Sequence, residues 1–138
     1  MQNSDDQLRA ILTAVKTIAV VGWSAKPDRP SNSVARFLRE KGYRVIPVNP
    51  GQAGADSGLG EVVRASLADI EGGVDMVDIF RRSEEVGPVV AEAIATGAKV
   101  VWMQLGVIND VAAAAARSAG LSVVTNRCPA IEMPRLGL

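Results

Sequence analysis

The stretch from Thr17 to Ser33 constrains the fold most, because it runs from a predicted strand through a loop into a predicted helix. The apolar run Ile18 to Val21 is typical of a strand covered on both faces, and Gly22 follows where the backbone must turn or approach a ligand closely. Hydroxyls, an amide and two cations come next: Ser24, Lys26, Arg29, Ser31, Asn32 and Ser33. Together with the N–H groups of a helix start, these groups suit anions, so the stretch predicts a phosphate-binding loop.

The length and the charge of the chain limit the classes of protein to which it can belong. With 138 residues we expect one domain over 1–138, with an N-terminal helix in 1–16 packed on it. The 15 basic and 15 acidic residues balance, which disfavours nucleic-acid and membrane-surface partners. The first ten residues do not resemble a signal peptide, and no apolar run approaches the ~20 residues of a membrane span, so we expect a cytoplasmic protein.

The sequence contains no histidine and a single cysteine, Cys128. Histidine is the usual group for acid–base catalysis near neutral pH and a common zinc ligand, so its absence disfavours much catalytic chemistry. A lone cysteine can form no internal disulfide and no multi-cysteine metal site. The composition therefore favours binding over catalysis.

Predicted strands and helices alternate along the chain. We expect helices over 4–16, 31–41, 83–96 and 109–119, and strands over 18–21, 44–48, 74–80, 99–104 and 121–125. Between them we expect an exposed loop over 51–60, a possible edge strand over 61–64 and a helical turn over 66–70, with Ser83 and Asn109 as helix N-caps. This order predicts an α/β Rossmann-like domain: a doubly wound, mainly parallel sheet of five to six strands with helices on both faces, in three layers.

In such sheets ligands bind beyond the carboxyl ends of the strands. Each predicted strand end carries polar or backbone-exposing residues: Gly22 to Ser24, Val48 to Pro50, Phe80 to Arg82, Gln104 to Gly106 and Asn126 to Cys128. The dinucleotide fingerprint is absent, because Gly22 stands alone and Asn49-Pro50 replaces the acid that binds an NAD ribose. No P-loop sequence is present either.

Five ordered blocks carry a specific resemblance: VVGWSAKPDRPSNSVARFLREKGYRVIPVNP, SLADI, VDMVDIFRRSEEV, GAKVVWMQLGV and NRCPAIEMPRL. Over nearly its whole length the chain resembles a stand-alone member of the CoA-binding domain family, similar to the N-terminal domain of the succinyl-CoA synthetase alpha subunit. The resemblance implies coenzyme A or an acyl-CoA as the ligand. The ligase activity is not carried over, because the phosphohistidine of the synthetase belongs to a separate catalytic domain.

The resemblance also implies a role for each strand end. It implies that Gly22, Trp23 and Ser24 line a pyrophosphate turn, near Lys26, Arg29 and the helix start at Ser31, Asn32 and Ser33. Asn49 and Pro50 would border the adenosine end beside Phe80 and Arg81. Gln104, Leu105 and Gly106 would flank the pantetheine path, and Asn126, Arg127 and Cys128 would form the far wall.

Several of these residues also have a purely structural interpretation. Gly22 is a turn residue in many parallel sheets, Lys26 and Arg29 are equally compatible with solvated charges, and Ser31 or Ser33 with a helix cap. Trp23 either lines the pocket or covers the sheet edge, while Trp102, Met103 and Leu105 fit the core better than a ligand platform. We expect one of Arg81 and Arg82 to face the cleft and the other to face solvent or an acid such as Glu84. Cys128 fits a buried packing residue, and Asp78 and Glu132 have no identifiable partner and so no assigned acid–base role.

The leading hypothesis is therefore non-catalytic binding of coenzyme A or an acyl-CoA, as a sensor or carrier. One alternative is a subunit of an acyl-CoA ligase or transferase that needs a partner chain. Another is an NAD(P)-sensing regulator on the same fold. A protein partner or a homo-oligomer is compatible with the sequence, whereas a metal site is not expected.

Overall fold

The computed structural model describes residues 3–138, which form five strands and five α-helices in alternation. The strands are β1 (Thr17–Val21), β2 (Arg44–Val48), β3 (Met76–Ile79), β4 (Val100–Met103) and β5 (Ser122–Val124). The helices are α1 (Asp5–Ala14), α2 (Pro30–Glu40), α3 (Val86–Ala95), α4 (Asp110–Ser118) and α5 (Pro129–Arg135). Short 3-10 turns occupy Pro50–Gln52, Leu67–Asp69 and Ser83–Glu85.

All five strands are parallel and lie in the order β2-β1-β3-β4-β5. The chain therefore leaves β1 toward one edge of the sheet and later returns to place β3 on the other side of β1. That reversal makes the carboxyl ends of β1 and β3 the switch point at which doubly wound sheets bind ligands. The predicted Rossmann-like sheet is confirmed, with five strands among the described residues.

Helices cover both faces of the sheet, which gives the predicted three layers. One apolar cluster joins the sheet to α1, α2 and α5 through residues such as Leu8, Leu38 and Met133. A second cluster joins the opposite face to α3 and α4 through Val90 and Ala116. Because both faces are covered, the strands are buried along most of their length rather than alternating between buried and exposed residues. None of the helices in residues 3–138 has the length and apolar character needed to cross a membrane.

Of the two predicted helix caps, one is confirmed and the other is wrong. Asn109 caps α4 as predicted, since its side chain accepts a hydrogen bond from the Ala112 N–H at 3.0 Å. Ser83 does not cap a helix, because a 3-10 turn precedes α3 and the Ser83 hydroxyl instead accepts from the Ile108 N–H at 3.0 Å. Ser83 therefore ties the turn before α3 to the loop after β4.

The segment between β2 and β3 also differs from the prediction. The expected edge strand over 61–64 is reduced to two isolated bridges, Val48 with Arg64 and Asp56 with Val62. The loop over 51–60 is not exposed throughout, because Leu59 packs into the core on the face of α2. This loop therefore packs against α2.

Candidate functional site

Gly22 makes the turn at the end of β1 with a φ of +87°. A Cβ atom at this position would lie 2.2 Å from the carbonyl oxygen of Phe80, so no side chain fits here. The N–H groups of Gly22 and Trp23 both point to the Val48 carbonyl oxygen, at 3.0 and 3.4 Å. Contact with β2 and β3 is thus sufficient to explain the glycine, and a ligand role for it stays a prediction.

The loop after Gly22 is held in place by side chains from the first turn of α2. The buried Ser31 hydroxyl accepts from the Ser24 N–H at 3.0 Å, and the buried Asn32 amide donates to the Ser24 carbonyl at 2.8 Å. Arg36 in turn donates to the Asn32 side chain at 2.8 Å and to the Pro27 carbonyl at 3.2 Å. Ser31 and Asn32 therefore organise the loop, together with Arg36, which the sequence analysis did not select.

The two predicted phosphate cations project from this organised loop. Lys26 and Arg29 are exposed, and neither forms a salt bridge with any residue in 3–138. Arg29 is the N-cap residue of α2 and makes no side-chain cap. Ser33 donates to the Pro30 carbonyl at 3.2 Å. Two uncompensated cations thus stand at the N-terminus of α2, where the helix dipole also favours an anion.

Trp23 both packs against the sheet and borders a cavity, which are the two roles that the sequence left open. Its side chain is only 2% exposed and belongs to the core cluster on the face of α2. It also borders a cavity of about 340 Å³ together with Asn32, Arg36 and Leu59. The indole Nε1 is buried and has no hydrogen-bond partner among residues 3–138.

The ends of β2 and β3 form a second region. The Asn49 amide donates to the Trp23 carbonyl at 2.8 Å and accepts from the Gly51 N–H at 2.9 Å, so it joins the β1 and β2 ends. Pro50 and Arg81 border a cavity of about 560 Å³ on the side of α3. Phe80 is half-buried and packs against the core on the other face.

Arg81 borders the cavity beside α3 and is 39% exposed, whereas Arg82 is 79% exposed and does not border it. Both guanidinium groups donate to Glu85, rather than one of them to Glu84. Glu85 lies four residues after Arg81 and three after Arg82, at the start of α3, so the 3-10 turn brings it to both. These bonds hold the pKa of the Glu85 carboxyl below its usual value.

A fully buried carboxyl lies behind the switch point. Asp78 pairs in register with Val20 of β1 and Trp102 of β4, so its side chain lies on the face of α2 and α5. With its amide nitrogen turned to this carboxyl, the buried Gln104 donates to the two Asp78 oxygens at 2.8 and 3.2 Å. Loss of water around the carboxyl raises the pKa of Asp78 well above its usual value. Gln104 thus faces inward, which removes it from the surface of the predicted pantetheine path.

The ends of β4 and β5 form a third region. Here the expectation that Leu105 lies in the core is wrong. Leu105 is more than half exposed, unlike the fully buried Trp102 and Met103, because the chain leaves the sheet after Gln104. Gly106 donates its N–H to the Asn126 side chain at 2.7 Å, and Asn126 has a φ of 57°. Leu105 and Asn126 border a cavity of about 420 Å³.

The expectation that Glu132 has no partner is also wrong. Arg127 and Arg135 both donate to its Oε1 atom at 2.8 Å, and Arg135 also binds Asp5 at the start of α1. The Arg127 carbonyl accepts from the Trp102 indole at 2.8 Å. These contacts fix the turn between β5 and α5 and neutralise Arg127.

Cys128 is buried in the core at the start of α5. This agrees with its interpretation as a packing residue. The Cys128 side chain lies beneath the surface that was expected to form the far wall of the site. The described residues contain no group of three or more side chains able to hold a metal ion.

The predicted site residues therefore share one edge of the sheet but not one cavity. Five of the eighteen are buried, and seven border one of three separate cavities. The cavities lie beside α2, beside α3 and beside α5.

Comparison with known proteins gives a consistent result. The model of the family described as "CoA binding domain" matches residues 16–134. The chain is 40% identical to YneT of Bacillus subtilis over 129 residues, which covers 93% of each chain. It is 41% identical to a protein of Thermus thermophilus whose structure superposes with a TM-score of 0.92, covering 97% of this chain and 99% of that one.

The fold also occurs inside a larger enzyme. Acetyl-coenzyme A synthetase 1 of Candidatus Korarchaeum cryptofilum superposes with a TM-score of 0.65 at 23% identity, covering 78% of this chain and 25% of the synthetase. At this identity the likeness concerns the fold alone.

Proposed function

The chain belongs to the CoA binding domain family, and from this premise we propose that it binds coenzyme A or an acyl-CoA as a sensor or carrier. The ligand lies along the carboxyl ends of the strands, with its phosphates at the loop after β1. The binding unit is the single domain over 1–138, in the cytoplasm. We infer no chemical step on the ligand.

The observation that carries this proposal is the pair of exposed, unpaired cations on a rigid loop. Lys26 and Arg29 have no counter-ion among residues 3–138, while the loop that holds them is fixed by Ser31 and Asn32. A preorganised loop loses little entropy on binding, so its charges add directly to the affinity for phosphate. Surface cations without this support would be ordinary solvated charges.

The remaining contacts extend from this phosphate end. Asn49, Pro50, Phe80 and Arg81 border the adenosine moiety at the ends of β2 and β3. Leu105, Gly106 and Asn126 border the pantetheine arm at the ends of β4 and β5. The arm passes Gln104 without direct contact, since that side chain faces Asp78.

The case against catalysis rests on the chemistry of the groups at this edge. The chain has no histidine, its one thiol is buried and Asp78 is enclosed in the core. None of these can act as an exposed base or nucleophile toward an acyl-CoA. The second candidate function is a ligase subunit that takes catalytic residues from a partner chain, and the fold shared with the Korarchaeum synthetase favours it.

Calorimetric titration of the purified chain with CoA, acetyl-CoA, NAD, NADP and ATP tests the proposal. We expect binding of CoA and acetyl-CoA, and weak or no binding of the dinucleotides, because the glycine fingerprint after β1 is absent and no acid follows β2. Binding of NAD without any response to CoA would overturn the proposal in favour of a dinucleotide sensor. Turnover of an acyl-CoA by the isolated chain would overturn the non-catalytic part.

A further inference from the structure

Exposed apolar side chains gather around the cavity at the ends of β4 and β5. Leu105, Ile108 and Ile131 are 56%, 50% and 54% exposed, and all three border this cavity. They come from two loop positions after β4 and from α5, so the fold rather than the sequence brings them together. Large apolar side chains grouped around a concavity, unlike single ones scattered over a surface, mark a binding site.

The cavity is also lined by five polar residues, and the charges of the two ionised ones compensate each other: Asn3, Thr125, Asn126, Arg127 and Glu132. Arg127 borders it, but its guanidinium pairs with Glu132 at 2.8 Å. Glu132 also binds Arg135, which binds Asp5, so two arginines and two carboxylates neutralise one another. The cavity therefore combines three apolar side chains with neutral polar groups and offers no unpaired charge, which suits an uncharged group with a short apolar part.

The position of the cavity matches the far end of the proposed ligand. From β1, which carries the phosphate loop, to β4 and β5 there are two to three strand spacings, or about 10–14 Å. The pantetheine arm of coenzyme A has the length of about four residues of extended chain, or about 14 Å. An arm lying along the strand ends would bring the thiol, or the acyl group on it, to this cavity.

We propose that this cavity is an acyl subsite, and that the physiological ligand is an acyl-CoA with a short, uncharged acyl chain. The inference rests on the proposed function, since it names the ligand class of the same site. Leu105, Ile108 and Ile131 form the walls around the acyl chain. Asn126 offers a donor to the thioester oxygen, because its amide oxygen is occupied by the Gly106 N–H at 2.7 Å and its amide nitrogen remains.

Calorimetry with a series of ligands tests the inference: CoA, acetyl-CoA, butanoyl-CoA, hexanoyl-CoA and succinyl-CoA. We expect affinity to rise from acetyl-CoA to hexanoyl-CoA by up to about threefold to fourfold for each methylene group. We also expect butanoyl-CoA to bind more tightly than succinyl-CoA, which has the same chain length with a terminal carboxylate. Equal affinity for CoA and all acyl-CoAs would overturn the inference, and so would a preference for succinyl-CoA.

Two variants and a matched control connect the preference to this cavity. Ile131→Gln and Ile108→Gln should each reduce the butanoyl-CoA to CoA affinity ratio by about threefold or more. Val111→Gln is the control, because Val111 is 83% exposed but does not border the cavity. An unchanged ratio in both cavity variants, or an equal loss in the control, would overturn the inference. Failure of the chain to bind any CoA compound would instead overturn the proposed function, so the two failures are distinguishable.

Discussion

Gly22 and Phe80 approach each other so closely that a Cβ atom on Gly22 would lie 2.2 Å from the Phe80 carbonyl oxygen. The contact joins the end of β1 to the residue after β3, across the point where the strand order reverses. Gly22 also has a φ of +87°, a conformation that side chains disfavour. The glycine that begins the proposed phosphate loop is thus required by the sheet itself.

We predict that Gly22→Ala destabilises the chain more than an alanine at another glycine with the same backbone conformation. Gly54 is the matched control, because its φ is +88° and a Cβ atom there would meet nothing within 4 Å. Gly54→Ala should lower the free energy of unfolding by about 1–2 kcal/mol through backbone strain alone. Gly22→Ala should cost about 1–3 kcal/mol more, because the Phe80 carbonyl must move. Urea unfolding of both variants measures the difference, and equal costs would contradict the prediction.

The cations of the phosphate loop give a second prediction, on binding. Lys26→Ala combined with Arg29→Ala should weaken CoA binding about tenfold or more, since two charge-assisted contacts are lost. The remaining affinity should also depend less on salt, because fewer charges face the ligand. Titrations at two ionic strengths measure both effects.

The control for this pair removes one lysine and one arginine at the opposite end of the sheet. Lys99 precedes β4 and Arg117 lies in the last turn of α4, both exposed and away from the strand carboxyl ends. Lys99→Ala combined with Arg117→Ala should leave CoA affinity and its salt dependence nearly unchanged. If both pairs weaken binding equally, the effect comes from net charge and the loop has no special role.

Glu132 gives a prediction on stability. Its carboxylate is buried and accepts from two arginines, so Glu132→Gln should lower the free energy of unfolding by about 1–3 kcal/mol. Asp6→Asn is the comparison, because Asp6 is almost fully exposed in its pair with Arg9 and should show no measurable change. A similar result for the two variants in urea unfolding would mean that the network adds nothing to stability.

Cys128 gives a prediction on reactivity. Because its thiol is buried and the chain has no histidine to activate it, Cys128 should react with a disulfide reagent far more slowly in the native chain than in urea. Cys128→Ala should leave CoA affinity unchanged if the thiol only packs. Native-state labelling at the rate of the unfolded chain would show instead that the thiol faces the ligand edge.

The sequence predicted the sheet well because strands buried on both faces are continuous apolar runs. The run Val45 to Val48 is one such strand, and Asn49-Pro50 marks its end. It did not predict α5, whose seven residues include Pro129 and Pro134. Pro129 is tolerated because it starts the helix, and α5 is held by core contacts of Met133 and by the Asp5–Arg135 bond to α1. Contacts between chain ends leave no local pattern.

The site was predicted less completely, for a related reason. A serine or an asparagine at a helix start suits both an anion and a neighbouring backbone group, and Ser31 and Asn32 bind their own loop. Arg36 was detectable, since it lies one helical turn after Asn32 and donates to it. The partner of Gln104 was not detectable, because it depends on the side chain that the fold places opposite it. Arg135 lies three residues after Glu132 but was missed because α5 itself was not predicted.

Asp78 provides the last prediction, on the pH dependence of stability. Burial raises its pKa in the folded chain well above its usual value, so the folded state holds a proton that the unfolded state releases. The stability associated with this proton is fully present below the unfolded pKa of about 3.9 and is lost as pH rises toward the folded pKa. Across that window the slope approaches about 1.4 kcal/mol per pH unit.

Asp78→Asn removes this titration while keeping the shape of the side chain and a hydrogen bond to Gln104. We therefore expect the variant to match the parent chain in stability near pH 4 and to exceed it increasingly as pH rises. Urea unfolding at four pH values between 4 and 8 measures the difference. A constant difference across this range would mean that the carboxyl keeps one protonation state in both forms of the chain. A difference that grows with pH would show that the fold holds the carboxyl behind the switch point protonated, since the two chains differ only in whether residue 78 can titrate.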